Sequence, residues 1–325
     1  MRRSIVILLS VLLCLCLIIV LESCAQKPVE SPPRKPIVGF SQLGSESGWR
    51  VGNTRDIIAA AERADLQLMY LNADQSQENQ IKAIRSFIAY QVDVITLAPI
   101  VEDGWDTVLR EAKDAGIPLL LTDRAISVSD ETLYAGFIGS DFLEEGRRAG
   151  RFLLEKTRDM KRVRIVEISG TENSTPARER AIGFREVLDD DPRYEFIRSV
   201  NGDFLRSKGL ECMENILKET TDIDVLYSHN DAMTLGAIEA IEAAGIAPGK
   251  DMIIITVDGE QGAIDLLKQG KINCVVECTP IIGDTVMALV KKLAAGEEIP
   301  RVTYSTERVF TEWDEDLQSI PPRGY

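Results

Sequence analysis

The chain has 325 residues, 37 of them lysine or arginine and 52 aspartate or glutamate, for a net charge of −15. Such acidity argues against nucleic acid as a partner. The single histidine, His229, excludes a histidine-rich metal site and leaves any histidine-based triad resting on one residue.

Met1-Arg-Arg is a short basic start, residues 4–21 carry no charge, and Glu22-Ser-Cys24 follows. This is the layout of an export signal: a positive start, an apolar middle and a small residue before the cut. The apolar run also has the length of an uncleaved anchor helix, and that reading stays open. Leu21-Glu-Ser-Cys24 resembles a bacterial lipoprotein signal, in which the cysteine is diacylated and becomes the new N-terminus. Residues 1–23 are therefore read as a lipoprotein-type signal peptide and Cys24 as the lipidation site. The body is expected in the periplasm or at the cell surface, anchored by that lipid. Residues 24–36 read as a tether, stiffened by Pro28, Pro32, Pro33 and Pro36.

The remaining residues, roughly 290, fit two lobes by the usual domain size. A strand at 37–40 runs into a polar, glycine-spaced turn at 42–48, and Trp49 opens a helix. Strands follow at 66–71, 92–98, 117–121 and 133–138, with helices at 77–90, 105–115 and 142–156 between and after them. The pattern then repeats, with strands at 163–168, 195–200, 225–228, 253–257 and 274–277. The helices of this second half are expected at 176–188, 207–218, 232–243, 261–269 and 281–294. Unbroken apolar strands such as 92–98 belong to parallel sheets covered on both faces. The fold class is α/β, with two doubly wound, Rossmann-like sheets in tandem and a cleft between the lobes.

Outside the leader and Cys24, the cysteines are Cys212, Cys274 and Cys278. Cys274 and Cys278 lie along one strand, too far apart to bridge each other. A disulfide from Cys212 to one of them stays open, beside the reading of buried free thiols.

Strand after strand ends in a polar or ionisable residue, where open α/β sheets bind ligands. The first turn carries Glu46, Ser47, Trp49 and Arg50; later strands end in Asp123-Arg124, in a loop before Arg178 and Arg180, in Asn201-Gly-Asp-Phe204, in His229-Asn-Asp231 and in Asp258-Gly259. Asn230 and Asp231 equally suit helix capping, and His229 reads as packing behind the site. Glu46, Asp123 and Asp258 balance Arg50, Arg124 and Arg180. A phosphate or carboxylate ligand favours excess positive charge, whereas a neutral polyol suits the mixture, because each hydroxyl donates to a carboxylate and accepts from a guanidinium. Trp49 and Phe204 offer flat faces for its C–H groups.

Gly39-Phe-Ser-Gln, Gly44-Ser-Glu-Ser-Gly-Trp-Arg50, Gln77-Glu-Asn-Gln-Ile-Lys82, Asp123-Arg124, Gly202-Asp-Phe204, Arg206-Ser-Lys-Gly209, His229-Asn-Asp231 and Asp258-Gly259 come in the order of ribose-type sugar-binding proteins of bacterial ABC importers, the type 1 periplasmic binding proteins. Within these the chain resembles the galactofuranose-binding group over nearly everything after Pro36. The resemblance implies two lobes joined by a three-strand hinge, 37–139 plus 279–303 and 140–278 plus 304–325. It implies crossings near Gly139, Cys278 and Tyr304. It also implies ligand contacts at Glu46, Ser47, Gly48, Trp49, Arg50, Asp123, Arg124, Arg180, Phe204, Asn230 and Asp258. Near Cys278, where such proteins often carry a polar side chain, Glu277 is the candidate. The disulfide that the resemblance suggests has no matching cysteine pair here.

Capture of a galactose-like or galactofuranose-like monosaccharide by hinge closure, and its delivery to an ABC transporter permease, is the implied function. The chain is expected to act as a monomer, with no cofactor and no metal. An enzyme is disfavoured: no dinucleotide or phosphate-binding glycine motif follows the first strand, and no Gly-x-Ser-x-Gly elbow is present. A glycosidase needs a protonated carboxyl, whereas each site carboxylate here has a neighbouring arginine expected to lower its pKa. An exported sensor presenting sugar to a chemoreceptor or kinase would share this fold and site. A sugar-responsive repressor would need an N-terminal DNA-binding module where this chain has an export signal.

Overall fold

The structure, a computed structural model, describes residues 34–325; the signal peptide, Cys24 and most of the tether lie outside them. The first half runs β1 (Ile37–Gln42), α1 (Gly48–Arg63), β2 (Gln67–Asn72), α2 (Gln77–Ala89), β3 (Val94–Leu97), α3 (Asp106–Asp114), β4 (Leu119–Thr122) and β5 (Gly136–Gly139). The second runs α4 (Phe142–Lys156), β6 (Val163–Ser169), α5 (Thr175–Leu188), β7 (Tyr194–Asn201), α6 (Arg206–Glu219), β8 (Val225–Ser228), α7 (Asp231–Ala243), β9 (Ile253–Asp258), α8 (Gln261–Lys268) and β10 (Cys274–Glu277). It closes with α9 (Gly283–Ala294), β11 (Val302–Tyr304) and β12 (Val309–Thr311).

Local chemistry explains these elements. β3 and β4 are buried along their whole length, as expected of central parallel strands. α4 starts at Asp141, whose carboxylate accepts the Glu144 N–H at 2.9 Å, and ends on Lys156, which complements the helix dipole. α2 starts at Ser76, whose hydroxyl accepts from Asn79 N.

Two six-stranded sheets result, in the orders β11-β5-β4-β3-β1-β2 and β12-β10-β9-β8-β6-β7. Every pairing in the first is parallel. In the second, β12 runs antiparallel to β10, a departure from the all-parallel expectation. β12 follows β11 of the first sheet and enters the second at its edge beside β10, so no βαβ unit fixes its direction. Apolar side chains cover both faces of each sheet: Phe40, Ile57 and Val286 on one face of the first and Phe87, Trp105 and Leu121 on the other; Met213, Leu226 and Ile254 against Phe184, Tyr227 and Val257 for the second.

The chain passes between the sheets after β5, after β10 and after β11. Ser140, Cys278 with Thr279, and Glu307 sit at these passages. The Ser140 hydroxyl donates to Glu307 Oε1 at 2.6 Å, Thr279 N donates to the same oxygen at 2.9 Å, and Ser140 Oγ meets Cys278 Sγ at 3.3 Å.

Most element boundaries shift by one or two residues from the sequence reading, and two of the shifts have a local cause. Leu133 lies in a 3₁₀ turn, Glu131–Leu133, because Asp130 accepts the Thr132 N–H and closes the turn, so β5 starts only at Gly136. α9 starts at Gly283, whose N–H is taken by Asp56 at 2.6 Å. All three described cysteines are free thiols. Cys274 and Cys278 are buried, but Cys212 is only half-buried and donates to the Asn201 carbonyl, so the buried-thiol reading holds for two of the three.

Candidate functional site

The carboxyl ends of β1, β4, β6, β7, β8 and β9 converge on one small cavity of about 30 Å³, room for a water molecule or two. Its walls include Glu46, Ser47, Trp49, Arg50, Asp123 and Arg124 from the first sheet's loops, and Arg180, Phe204, Asn230 and Asp258 from the second's. Ten of the eleven sequence-derived positions therefore line one cavity. The eleventh, Gly48, does not: it lies at the start of α1, against the Glu260 carboxylate.

The first side is a chain of charges. Arg50 Nε donates to Glu46 Oε1 at 3.0 Å, and its Nη1 stands 2.6 Å from Asp123 Oδ2 and 3.3 Å from Gln42 Oε1. Gln75 donates to the other Glu46 oxygen at 2.8 Å. Burial alone would raise the Glu46 pKa, but Arg50 and Arg124 outweigh it and hold the carboxylate ionised. Arg124 donates to the Ile100 carbonyl at 3.1 Å and lies over the Phe204 ring, its charged carbon 5.1 Å from the centroid. Burial and the adjacent Arg50 bring its pKa down to about 10.

The second side is built around Arg180. Its Nε donates to Glu145 Oε2 at 2.7 Å and its Nη1 to the His229 carbonyl at 2.6 Å, while Asp258 stays 3.8 Å away. Burial pushes the Asp258 carboxyl well up, with Asp231 and Glu260 adding to it and Arg180 opposing. This corrects the expectation that every site carboxylate is lowered by a matching arginine. The reason is geometric: Arg180 gives its close contact to Glu145, a partner that sequence reading missed.

Asn230 is the helix cap, its Oδ1 accepting Met233 N at 2.9 Å, and it also lines the cavity. Asp231 is not a cap; it accepts from Thr256 Oγ1, Gly259 N and Glu260 N, which fixes the loop after β9. His229 is fully buried with its Nε2 3.1 Å from Glu167 and is not among the lining residues. Glu277 turns away from the cavity, to Arg323 and Arg308 N; Cys278 lines the wall instead, and its carbonyl accepts Trp49 Nε1 at 2.6 Å.

Backbone geometry sets this cavity apart from an ordinary loop cluster. Asp123, Phe204 and Asp258 all have positive φ, at 64°, 61° and 125°. Non-glycine residues adopt such angles at a cost, and they gather at ligand clamps. Among the described residues, Asp123 Oδ2, Arg124 Nε and Glu145 Oε1 are buried without a directed hydrogen bond. Donors and acceptors of both kinds, flanked by the apolar faces of Trp49, Phe142, Pro176 and Phe204, can hold a neutral polyhydroxylated molecule. Phe142, Pro176 and Cys278 were missed in the sequence because they lie within helices or at a passage between the sheets.

Among the described residues one trio has metal-ligand chemistry: Glu145, Cys278 and Glu307, with ligand atoms within 4.8 Å of one another. Burial drives all three toward their protonated forms, to about 8 for Glu307, which makes them poor ligands.

The periplasmic binding protein domain matches residues 38–298. The galactofuranose-binding protein YtfQ of Escherichia coli (strain K12) is 40% identical over 294 residues, which is 89% of this chain and 92% of that protein. A crystal structure from Mycobacterium smegmatis in complex with beta-D-fucofuranose has 45% identity and a TM-score of 0.85, over 87% of this chain and 93% of that one. The periplasmic binding protein component of the arabinose ABC transporter from Shewanella sp. ANA-3, bound to alpha and beta-L-arabinofuranose, has 42% identity and a TM-score of 0.83, with the same two coverages. With two α/β lobes, a cleft cavity of mixed charge and a family match across most of its length, the chain belongs to the periplasmic binding protein family.

Proposed function

We propose that this protein is the solute-binding component of a carbohydrate ABC transporter and captures an aldofuranose of the galactofuranose, fucofuranose or arabinofuranose kind. The observation that carries the reading is the mixture of guanidinium and carboxyl groups around one cavity. Three guanidinium groups and three carboxyl groups line that small space, and the lobes part to admit a sugar. Each sugar hydroxyl donates to Glu46, Asp123 or Asp258 and accepts from Arg50, Arg124 or Arg180. Ser47 and Asn230 complete the polar contacts, and Trp49 and Phe204 cover the C–H faces. An analogue lacking a hydroxyl leaves a buried charge unpaired, which gives strong discrimination.

Capture proceeds by closure of lobe 37–139 plus 279–303 onto lobe 140–278 plus 304–325 about the three passages. The closed form is held by bonds between the lobes: Trp49 N to Glu260, Ala125 N to Thr175 Oγ1 at 3.1 Å, Glu102 N to the Asn173 carbonyl at 2.8 Å, and the Arg178–Glu102 ion pair at 2.9 Å. The protein works as a monomer, outside the cytoplasmic membrane, tethered through a lipid on Cys24, and hands its sugar to a membrane permease. Among the described residues no helix is long and apolar enough to cross a membrane.

The test is titration of the protein with D-galactose, D-fucose, L-arabinose and D-ribose, read by tryptophan fluorescence and calorimetry. Saturable binding of a sugar from the first three, at micromolar concentration or below and without turnover, is expected. Binding of none of them overturns the sugar assignment.

A further inference from the structure

The geometry points to Glu260 and Gly48 as a closure latch: a carboxylate of one lobe that takes a helix-terminal N–H of the other only when the cleft is shut. The inference rests on the binding reading above and adds two positioning residues to it.

Trp49 is the second residue of α1. Helix termini leave their first N–H groups without partners in the helix. Ser47 satisfies one of them by accepting Arg50 N at 3.1 Å. The Trp49 N–H is satisfied from the opposite lobe, by Glu260 Oε1 at 2.7 Å across 211 residues of chain. Glu260 belongs to the loop between β9 and α8, so this bond exists only while the lobes are together. A carboxylate at a helix N-terminus also gains from the helix dipole.

Two further observations show that the contact is built. Asp231, fully buried, accepts both Gly259 N and Glu260 N, at 2.7 Å and 2.6 Å, and so holds the loop that aims Glu260. On the other side, a Cβ at position 48 would lie 2.8 Å from Glu260 Oε2 and 3.1 Å from its Cδ. Any side chain there meets the carboxylate, and glycine admits it. Gly48 therefore serves the site through closure, and Glu260 couples the loop after Asp258 to the Trp49 wall of the cavity.

The experiment uses the full chain with genetically encoded spin labels at the exposed positions Tyr90 and Lys218, one on each lobe. Interlobe distances are recorded without sugar and with L-arabinose or D-galactose, together with the sugar dissociation rate. Glu260→Ala and Gly48→Ala each speed release by about tenfold, the weight of one charge-assisted hydrogen bond, and shift the distances toward the open form. Glu260→Gln keeps an acceptor oxygen and retains most of the closed population, which separates a latch from a general loss of fold. If the wild type binds sugar and the alanine variants release it at the same rate with the same distances, the latch is overturned while the sugar reading stands. If no sugar binds but the variants are more open than the wild type in the sugar-free state, the latch stands and the sugar reading falls. If no sugar binds and the distances are unchanged, both fall.

Discussion

Arg180 stands 3.8 Å from Asp258, at the edge of an ion pair, because its close contact is spent on Glu145 at 2.7 Å. Asp258 is thus a buried carboxyl whose pKa is pushed up by burial. Its folded pKa exceeds its unfolded one, so the stability it contributes is present below the unfolded value and lost as pH rises through the folded one. Replacing it by asparagine removes that loss. Asp258→Asn is expected to raise the melting temperature of the sugar-free protein at neutral pH by roughly 3 °C. The same change costs sugar affinity roughly 10-fold, as a carboxyl that bonds the sugar is replaced by an amide. Melting curves with and without sugar check both; a variant that binds sugar normally removes Asp258 from the site.

Arg50 reaches Glu46, Gln42 and Asp123 with three different nitrogen-to-oxygen contacts. A lysine supplies one compact charge and leaves one of the two buried carboxylates unpaired. Arg50→Lys is expected to weaken binding by roughly 100-fold and to lower stability by about 2 kcal/mol. Denaturant unfolding and calorimetry measure the two effects. Equal affinity for lysine and arginine would show that the forked geometry is not used.

The Phe204 ring lies so close to Gly170 that a Cβ there would fall 1.8 Å from its Cζ. Gly170→Ala must therefore expel the ring, and with it the surface on which Arg124 rests. The expected outcome is a stability loss of about 1–3 kcal/mol from overpacking, with a loss of sugar affinity larger than Phe204→Leu produces. A titration in which Gly170→Ala binds as well as the wild type would show that the ring position is unimportant.

Cys24 is the proposed lipid site. Cys24→Ser is expected to move the protein from the membrane fraction to the soluble fraction, measured by fractionation and by mass spectrometry of the N-terminus. Continued membrane retention would mean that residues 4–21 remain as an anchor.

Much of this architecture was legible in the chain. The helix at 142–156 was readable to the residue because Asp141 supplies its cap and the apolar spacing runs unbroken to Lys156. Asp123-Arg124 stood out because a charged pair directly after the buried strand Leu119–Thr122 has no packing purpose. Glu145 did not stand out: an acid in the first turn of a helix looks like ordinary dipole complementarity. Only the approach of α5 turns it into the partner of Arg180, 35 residues away in sequence. Glu260 was hidden for the same reason, since its partner lies on the other lobe. β11 and β12 escaped because three residues are too few to show a period.

Glu307 carries the clearest pH dependence. Burial and the nearby Glu145 push its carboxyl from the usual range up to about 8, against the hydrogen bonds from Ser140 and Thr279 N that favour its charged form. From about pH 4.5 to about pH 8 the folded protein holds a proton there that the unfolded chain does not, so stability falls as pH rises through that window. Asp231, raised to about 8 by burial and by Glu260, adds to the same slope. Glu307→Gln is expected to match the wild type near the acid end of the window and to melt roughly 5 °C higher at its alkaline end, where the wild type must ionise a buried carboxyl at the hinge. Parallel melting profiles for the two proteins would mean that Glu307 is already ionised in the folded state, and that Ser140 and Thr279 outweigh its burial.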